Sequence, residues 1–175
     1  EIYNTRKNYF RCQKKEEFFY YLKELSNKLK TKFPNIIKPN FDIYHILVFY
    51  LYPNGKKQQA HCDKFYFINM EPFTKEQLVD SLQVFIALND HELNSGPTTF
   101  YKRNMIDYEY LKMNGIKNTL WEDKLQQNPK IKKMFDQARV TEKMNKGDII
   151  FSDANVFHHG GDNTSNKIRK VLLIQ

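Results

Sequence analysis

Apolar residues recur at helical spacing near the start of the chain and at strand spacing further on. Phe18, Leu22, Leu25 and Leu29 fall four, three and four residues apart, with Glu16, Lys23, Glu24 and Lys28 mostly between them. That spacing predicts an amphipathic helix over 14–31, stopped before Pro34, whose stripe is core packing. From Tyr44 the texture changes. Ile46 to Tyr52 is β-branched and aromatic and runs into a Pro53-Asn54-Gly55 turn. Ala60 to Phe67, Leu82 to Asn89 and Thr98 to Tyr101 read as three further strands. Thr74-x-x-Gln77 is the pattern of a helix capping box between them. A helical insert follows over 105–138, with Pro129 suited to a first helical turn. Four short strands close the chain, around Val140 to Glu142, Asp148 to Phe151, Asn155 to His158 and Lys167 to Ile174.

Eight short strands with a helix before and a helical insert midway predict one mainly β domain over 1–175, with flanking helices. The helical support covers 14–31, the β core 44–101 and 140–175, and the insert 105–138. Such a pattern favours a closed or sandwiched antiparallel architecture over a parallel, doubly wound sheet. On the last strand Arg169, Val171 and Leu173 share one face. An arginine there is either at the rim or a buried charge facing an anion.

Composition narrows the classes. The longest apolar run, Ile46 to Tyr52, is about seven residues, whereas a membrane helix needs roughly 20. The chain begins at Glu1 rather than Met, as a trimmed chain would, and its polar start lacks the apolar stretch of a signal peptide. Two cysteines, Cys12 and Cys62, are too few for a disulfide scaffold and point to a reducing intracellular setting, cytoplasmic or nuclear. The formal charge is +8. Its lysines are spread along the chain rather than clustered, which speaks for source composition over a phosphate-binding footprint.

Candidate chemistry begins at His61-Cys62-Asp63. On a strand, residues two apart point to the same side, so an imidazole and a carboxylate converge. They would supply two ligands of a 2-His-1-carboxylate facial triad and lack only a distant His. About 0.3 such triplets are expected by chance for 5 His, so the motif alone is weak. The second element is the run from Lys146 to Gly161, an apolar strand leading to His158-His159 and a glycine turn, with Arg169 beyond it. A rigid guanidinium there suits the far carboxylate of a metal-chelating 2-oxo acid. Adjacent strand residues point to opposite sides, so one of His158 and His159, not both, is the distal ligand. His45 and His91 have no partner in sequence and read as structural or surface residues.

In this order, His61-x-Asp63, then the histidine pair, then Arg169, the chain resembles the Fe(II)/2-oxoglutarate-dependent dioxygenases over about 44–175. The resemblance implies a double-stranded β-helix, the jelly-roll core shared with cupins. His158, Asn163, Ser165 and Arg169, with Phe85 to Asp90 and Gly96-Pro97-Thr98, are similar to the phytanoyl-CoA hydroxylase pattern, and these offsets favour His158. Tyr52-x-x-Gly55, nine residues before His61, resembles the prolyl hydroxylases and the alkylation-repair demethylases, in which a tyrosine at this place reaches the co-substrate. Tyr50 and Tyr52 share one strand face. The resemblance implies His61, Asp63 and His158 as metal ligands and catalytic residues. It implies Arg169, Tyr52 and Ser165 as 2-oxoglutarate contacts. Fe(II), 2-oxoglutarate and O2 are the expected cofactors, with ascorbate as a reductant. The implied reaction hydroxylates an aliphatic C–H of a peptide, protein or small molecule and releases succinate and CO2. Lys64, Phe65 and Tyr66 would line the mouth, and Tyr108, Tyr110 and Trp121 a lid or core. Two alternatives are a nucleic-acid demethylase and a non-catalytic jelly-roll binding module.

Overall fold

A computed structural model describes residues 16–35, 37, 39, 43, 46–63 and 81–175, and not the side chains of 16–19 and 22. The readings at Cys12, His45, Lys64 to Tyr66, Thr74-x-x-Gln77, and the side chains of Phe18 and Leu22, lie outside the described residues. Helix α1 covers Glu16–Lys32. The strands are β1 (Ile46–Leu51), β2 (Ala60–His61), β3 (Leu82–Ala87), β4 (Thr98–Tyr101), β5 (Thr119–Leu120), β6 (Arg139–Thr141), β7 (Ile149–Asp153), β8 (His158–Gly160) and β9 (Arg169–Ile174). Between β4 and β6 lie α2 (Tyr108–Met113), α3 (Glu122–Gln127) and α4 (Pro129–Ala138).

The strands form two antiparallel sheets. One has the order β1-β9-β3-β7 and the other β5-β2-β8-β4-β6. Strand parity sorts their side chains into three cores. Between the sheets lie Phe85, Val171 and Leu173, with Leu47, Phe49, Phe100 and Ile150. Behind the first sheet, Val84, Leu82 and Ile174 pack with Leu29 of α1. Behind the second, Cys62, Leu120, Phe157 and Tyr101 pack with Leu111, Ile131 and Phe135 of the insert helices. The molecule is thus a jelly-roll sandwich faced by helices on both sides.

Two elements differ from the sequence reading. Strand β5 inside the insert has too little alternation to be seen in two residues, yet it joins the second sheet beside β2. The strand expected at Asn155 to His158 begins only at His158. Asp153 accepts from Asn155 N through its side chain and from Val156 N through its carbonyl, which turns the chain there instead. Tyr108 and Tyr110 pack against the outer core, whereas Trp121 is half exposed.

Candidate functional site

His61 and His158 face each other directly across the β2–β8 ladder. Their rings lie 4.7 Å apart between centroids. Asp63 follows β2, with its backbone N–H donating to Ala154 O. One ligand atom from each of His61, Asp63 and His158 falls within 4.8 Å of the other two. Asp63 Oδ1 lies 3.4 Å from His61 Nε2, and Asp63 Oδ2 lies 4.0 Å from His158 Nε2.

The imidazoles are held in one tautomer. His61 Nδ1 donates to Gln59 O at 2.8 Å, and His158 Nδ1 donates to Val156 O at 3.0 Å. A carbonyl can only accept, so each Nδ1 carries the proton and each Nε2 lone pair faces the cluster. Metal-ligating histidines are commonly held in this way, with the ring nitrogen away from the metal donating to a backbone carbonyl. Burial alone would push the Asp63 carboxyl up. When the imidazoles also carry a proton on Nε2, the His61 hydrogen bond, the His158 and His61 charges and the Gln83 amide outweigh it and bring the carboxyl down to about 2. Two imidazoles and an ionised carboxylate are a donor set that fits Fe(II), the ion of facial-triad oxygenases.

The neighbouring residues separate by parity. His159 points the other way into the outer core, where its Nδ1 meets the Tyr101 hydroxyl at 3.2 Å. Burial, then the charges of Arg139 and Lys57, hold that imidazole down to about 3. Cys62 also points outward and donates to Asn155 O. Burial, chiefly, pushes its thiol far up, so it stays protonated.

The cluster opens onto a cavity of about 420 Å³ between the sheets, within the range of small-ligand pockets. Arg169 lines the same cavity, buried, and donates from Nη1 to Thr98 Oγ1 at 3.1 Å. Leu47, Phe49, Phe85 and Val171 supply apolar wall, and Gln58 a carboxamide.

Two residues expected at the co-substrate, Tyr52 and Ser165, do not line this cavity. Leu51 pairs with Arg169, and Leu47 and Phe49 face the cavity, so Tyr50 falls on the other face of β1. Tyr52 follows the strand, partly exposed, outside the cavity lining. Ser165 sits in the turn before β9, where its hydroxyl donates to Asn163 Oδ1 at 2.7 Å. Asn163 is fully buried and also holds Leu51 O and Lys167 O, so this pair shapes the approach to Arg169 rather than lining the cavity. Thr98 beside Arg169, and Gln83 and Gln175 on Asp63, are polar partners that the sequence reading missed. The only advance sign was that Gln175 continues the alternation of Arg169, Val171 and Leu173.

A family model described as phytanoyl-CoA dioxygenase (PhyH) matches residues 11–171. No curated protein matches the chain by sequence. Among solved structures, the fold is similar to EvdMO1, with a TM-score of 0.57 and 16% identity, over 94% of this chain and 33% of that one. It is also similar to HygX from Streptomyces hygroscopicus with nickel, 2-oxoglutarate and hygromycin B bound. There the TM-score is 0.59 and the identity 9%, over 87% of this chain and 63% of that one. A third is the epimerase SnoN in complex with Fe3+, alpha ketoglutarate and nogalamycin RO, with a TM-score of 0.50 and 21% identity, over 75% and 48%. This chain therefore spans from a third to just under two thirds of their lengths. The jelly-roll sandwich carries the inward-facing His61, Asp63 and His158, and the family match extends over most of its length. The chain belongs to the phytanoyl-CoA dioxygenase (PhyH) family, enzymes that depend on non-haem Fe(II) and 2-oxoglutarate.

Proposed function

We propose that this chain hydroxylates an aliphatic C–H of a small molecule, consuming 2-oxoglutarate and O2 and releasing succinate and CO2. The observation that carries the reading is the His61, Asp63 and His158 cluster, with both Nε2 lone pairs turned inward by carbonyl-anchored Nδ1 protons. In this reading His61, Asp63 and His158 are the metal ligands. Bound there, Fe(II) supplies open positions for 2-oxoglutarate and dioxygen and the oxidising power to remove hydrogen. Arg169 holds the far carboxylate of 2-oxoglutarate, with Thr98 fixing one guanidinium nitrogen. The apolar wall of Leu47, Phe49, Phe85 and Val171 lines the cavity beside these groups and suits an apolar part of the substrate.

A small molecule is favoured over a peptide because, among the described residues, the cavity lies between the sheets and holds about 420 Å³. The presence of hygromycin B in HygX, a protein of similar fold, supports the same choice. Dispersed lysines give no clustered track for a nucleic acid.

The test is to incubate the protein with Fe(II), ascorbate and 2-oxoglutarate and to measure succinate against a His61→Ala control. Succinate above the control is expected even without the substrate. Loss of succinate together with loss of metal and 2-oxoglutarate binding would overturn the reading. Tight 2-oxoglutarate and metal binding with no succinate under any substrate set would leave a binding module in its place.

A further inference from the structure

Asp63 has more partners than a metal ligand needs. Its Oδ2 accepts from two carboxamides, the Nε2 of Gln83 and the Nε2 of Gln175, the latter at 2.8 Å. Both glutamines come from the sheet opposite the histidines. Gln83 lies on β3, on the face of Phe85, and Gln175 follows β9 in step with Arg169, Val171 and Leu173. Gln83 is 0% exposed and Gln175 8%. Burying a carboxamide is costly unless its polar atoms are satisfied. Gln83 Oε1 has no protein hydrogen-bond partner among the described residues, so its amide is engaged through the nitrogen that meets Asp63.

A carboxylate oxygen has two in-plane lone pairs, and two N–H donors occupy both. Oδ2 is therefore filled from the protein side. Oδ1 keeps its lone pairs and lies nearer His61 Nε2. We propose that Gln83 and Gln175 are positioning residues that clamp Asp63 Oδ2, so that the carboxylate meets the metal through Oδ1 alone. The inference rests on the reading that His61, Asp63 and His158 hold the metal. Its consequence is countable. A six-coordinate ion held by two imidazoles and one carboxylate oxygen keeps three positions open. A carboxylate using both oxygens leaves two, which 2-oxoglutarate fills by itself. The two amides would thus keep one further position free beside 2-oxoglutarate, where dioxygen could bind.

The test uses Co(II) as the metal probe, without turnover. Gln83→Met and Gln175→Met remove the donors at nearly constant volume. Each is expected to raise the Co(II) Kd about 10-fold, and the double variant about 100-fold. In the double variant the infrared separation of the carboxylate stretches should narrow toward the bidentate value, and the Co(II) visible spectrum should change with it. Variants that melt lower but bind Co(II) within twofold, with unchanged spectra, would mean a structural role and overturn the proposal. If Gln83→Met does not fold, Gln175→Met decides alone by the same two readouts. Asp63→Ala separates the two levels. Should it bind Co(II) as the wild type does, the ligand reading itself fails. Should it lose Co(II) while both glutamine variants keep it, only the clamp fails.

Discussion

Positions 158 and 159 hold adjacent imidazoles, and strand parity sends them to opposite sides of one sheet. His158 faces Phe85, Phe100 and His61, whereas His159 stacks on Tyr101 in the outer core. His158→Ala is expected to abolish Co(II) binding in a titration. His159→Ala is expected to keep it and to cost about 2 kcal/mol of stability, read from urea denaturation, through lost packing and an orphaned Tyr101 hydroxyl. Arg169→Met should weaken 2-oxoglutarate binding by about 30-fold or more, since truncating a buried charge pair costs about 2–5 kcal/mol. Thr98→Val should cost about fivefold, the worth of one ordinary hydrogen bond. Calorimetric titration separates the two. A further residue reports on pH. His91 is buried, donates from Nε2 to Lys170 O, and has no hydrogen-bond partner for Nδ1 among the described residues. Burial, with the Arg169 charge nearby, holds its imidazole below the usual range against the Lys170 carbonyl and Asp90. The native state therefore stays neutral where the unfolded chain takes a proton. Stability is full above about pH 6.5 and falls as pH drops below it, by at most about 1.4 kcal/mol per pH unit for this group. The urea midpoint should fall between pH 7.5 and 5.5 in the metal-free protein, and His91→Gln should flatten the fall.

Among the elements, the joints carry more of the architecture than the strand interiors. Gly96 enters β4 with φ +71°, and a Cβ there would meet Gly161 O at 2.5 Å and Asp162 C at 2.8 Å. Both contacts are backbone, so neither yields. Gly115 has a similar φ of +73° but open space around it. Gly115→Ala should cost about 1 kcal/mol, the left-handed penalty alone. Gly96→Ala should cost clearly more and should also loosen the turn before β9 that presents Arg169. Thermal melts of the two variants give the comparison. The strands themselves were largely legible, because alternation marks them wherever one face is buried. Arg169 could be placed on the face of Val171 and Leu173 from spacing alone, and the cavity lies on that face. Tyr52, to which the same rule applies, does not line the cavity. Family likeness suggested its role, and the inward alternation of Leu47, Phe49 and Leu51 opposed it.

Taken as a whole, the molecule is two sheets with an inner core that is half apolar wall and half donor set. The donors that meet Asp63 were not legible because they come from the opposite sheet, and nothing in their sequence pairs them with a residue just after β2. An H-x-D triplet says nothing about which opposite-sheet side chains reach its carboxylate. A ligand that binds only the folded state stabilises it by mass action, by about 2.7 kcal/mol at 100 times Kd. Co(II) should therefore raise the melting temperature of the wild type and leave that of Asp63→Ala unmoved, which calorimetric scans would establish.

The pairing of β1 with β9 has a consequence during synthesis. Leu51 opposes Arg169 and Ile46 opposes Ile174, so among the described strands β1 finds its ladder partner only when β9 has emerged. At translation speeds of about 5–20 residues per second, the 118 residues from Tyr52 through Arg169 take about 6–24 seconds to make. Throughout that interval Ile-Leu-Val-Phe-Tyr-Leu is an uncovered, strand-forming segment of the nascent chain. It is the segment that a ribosome-associated chaperone would have to cover, and the one through which unfinished copies would stick to each other.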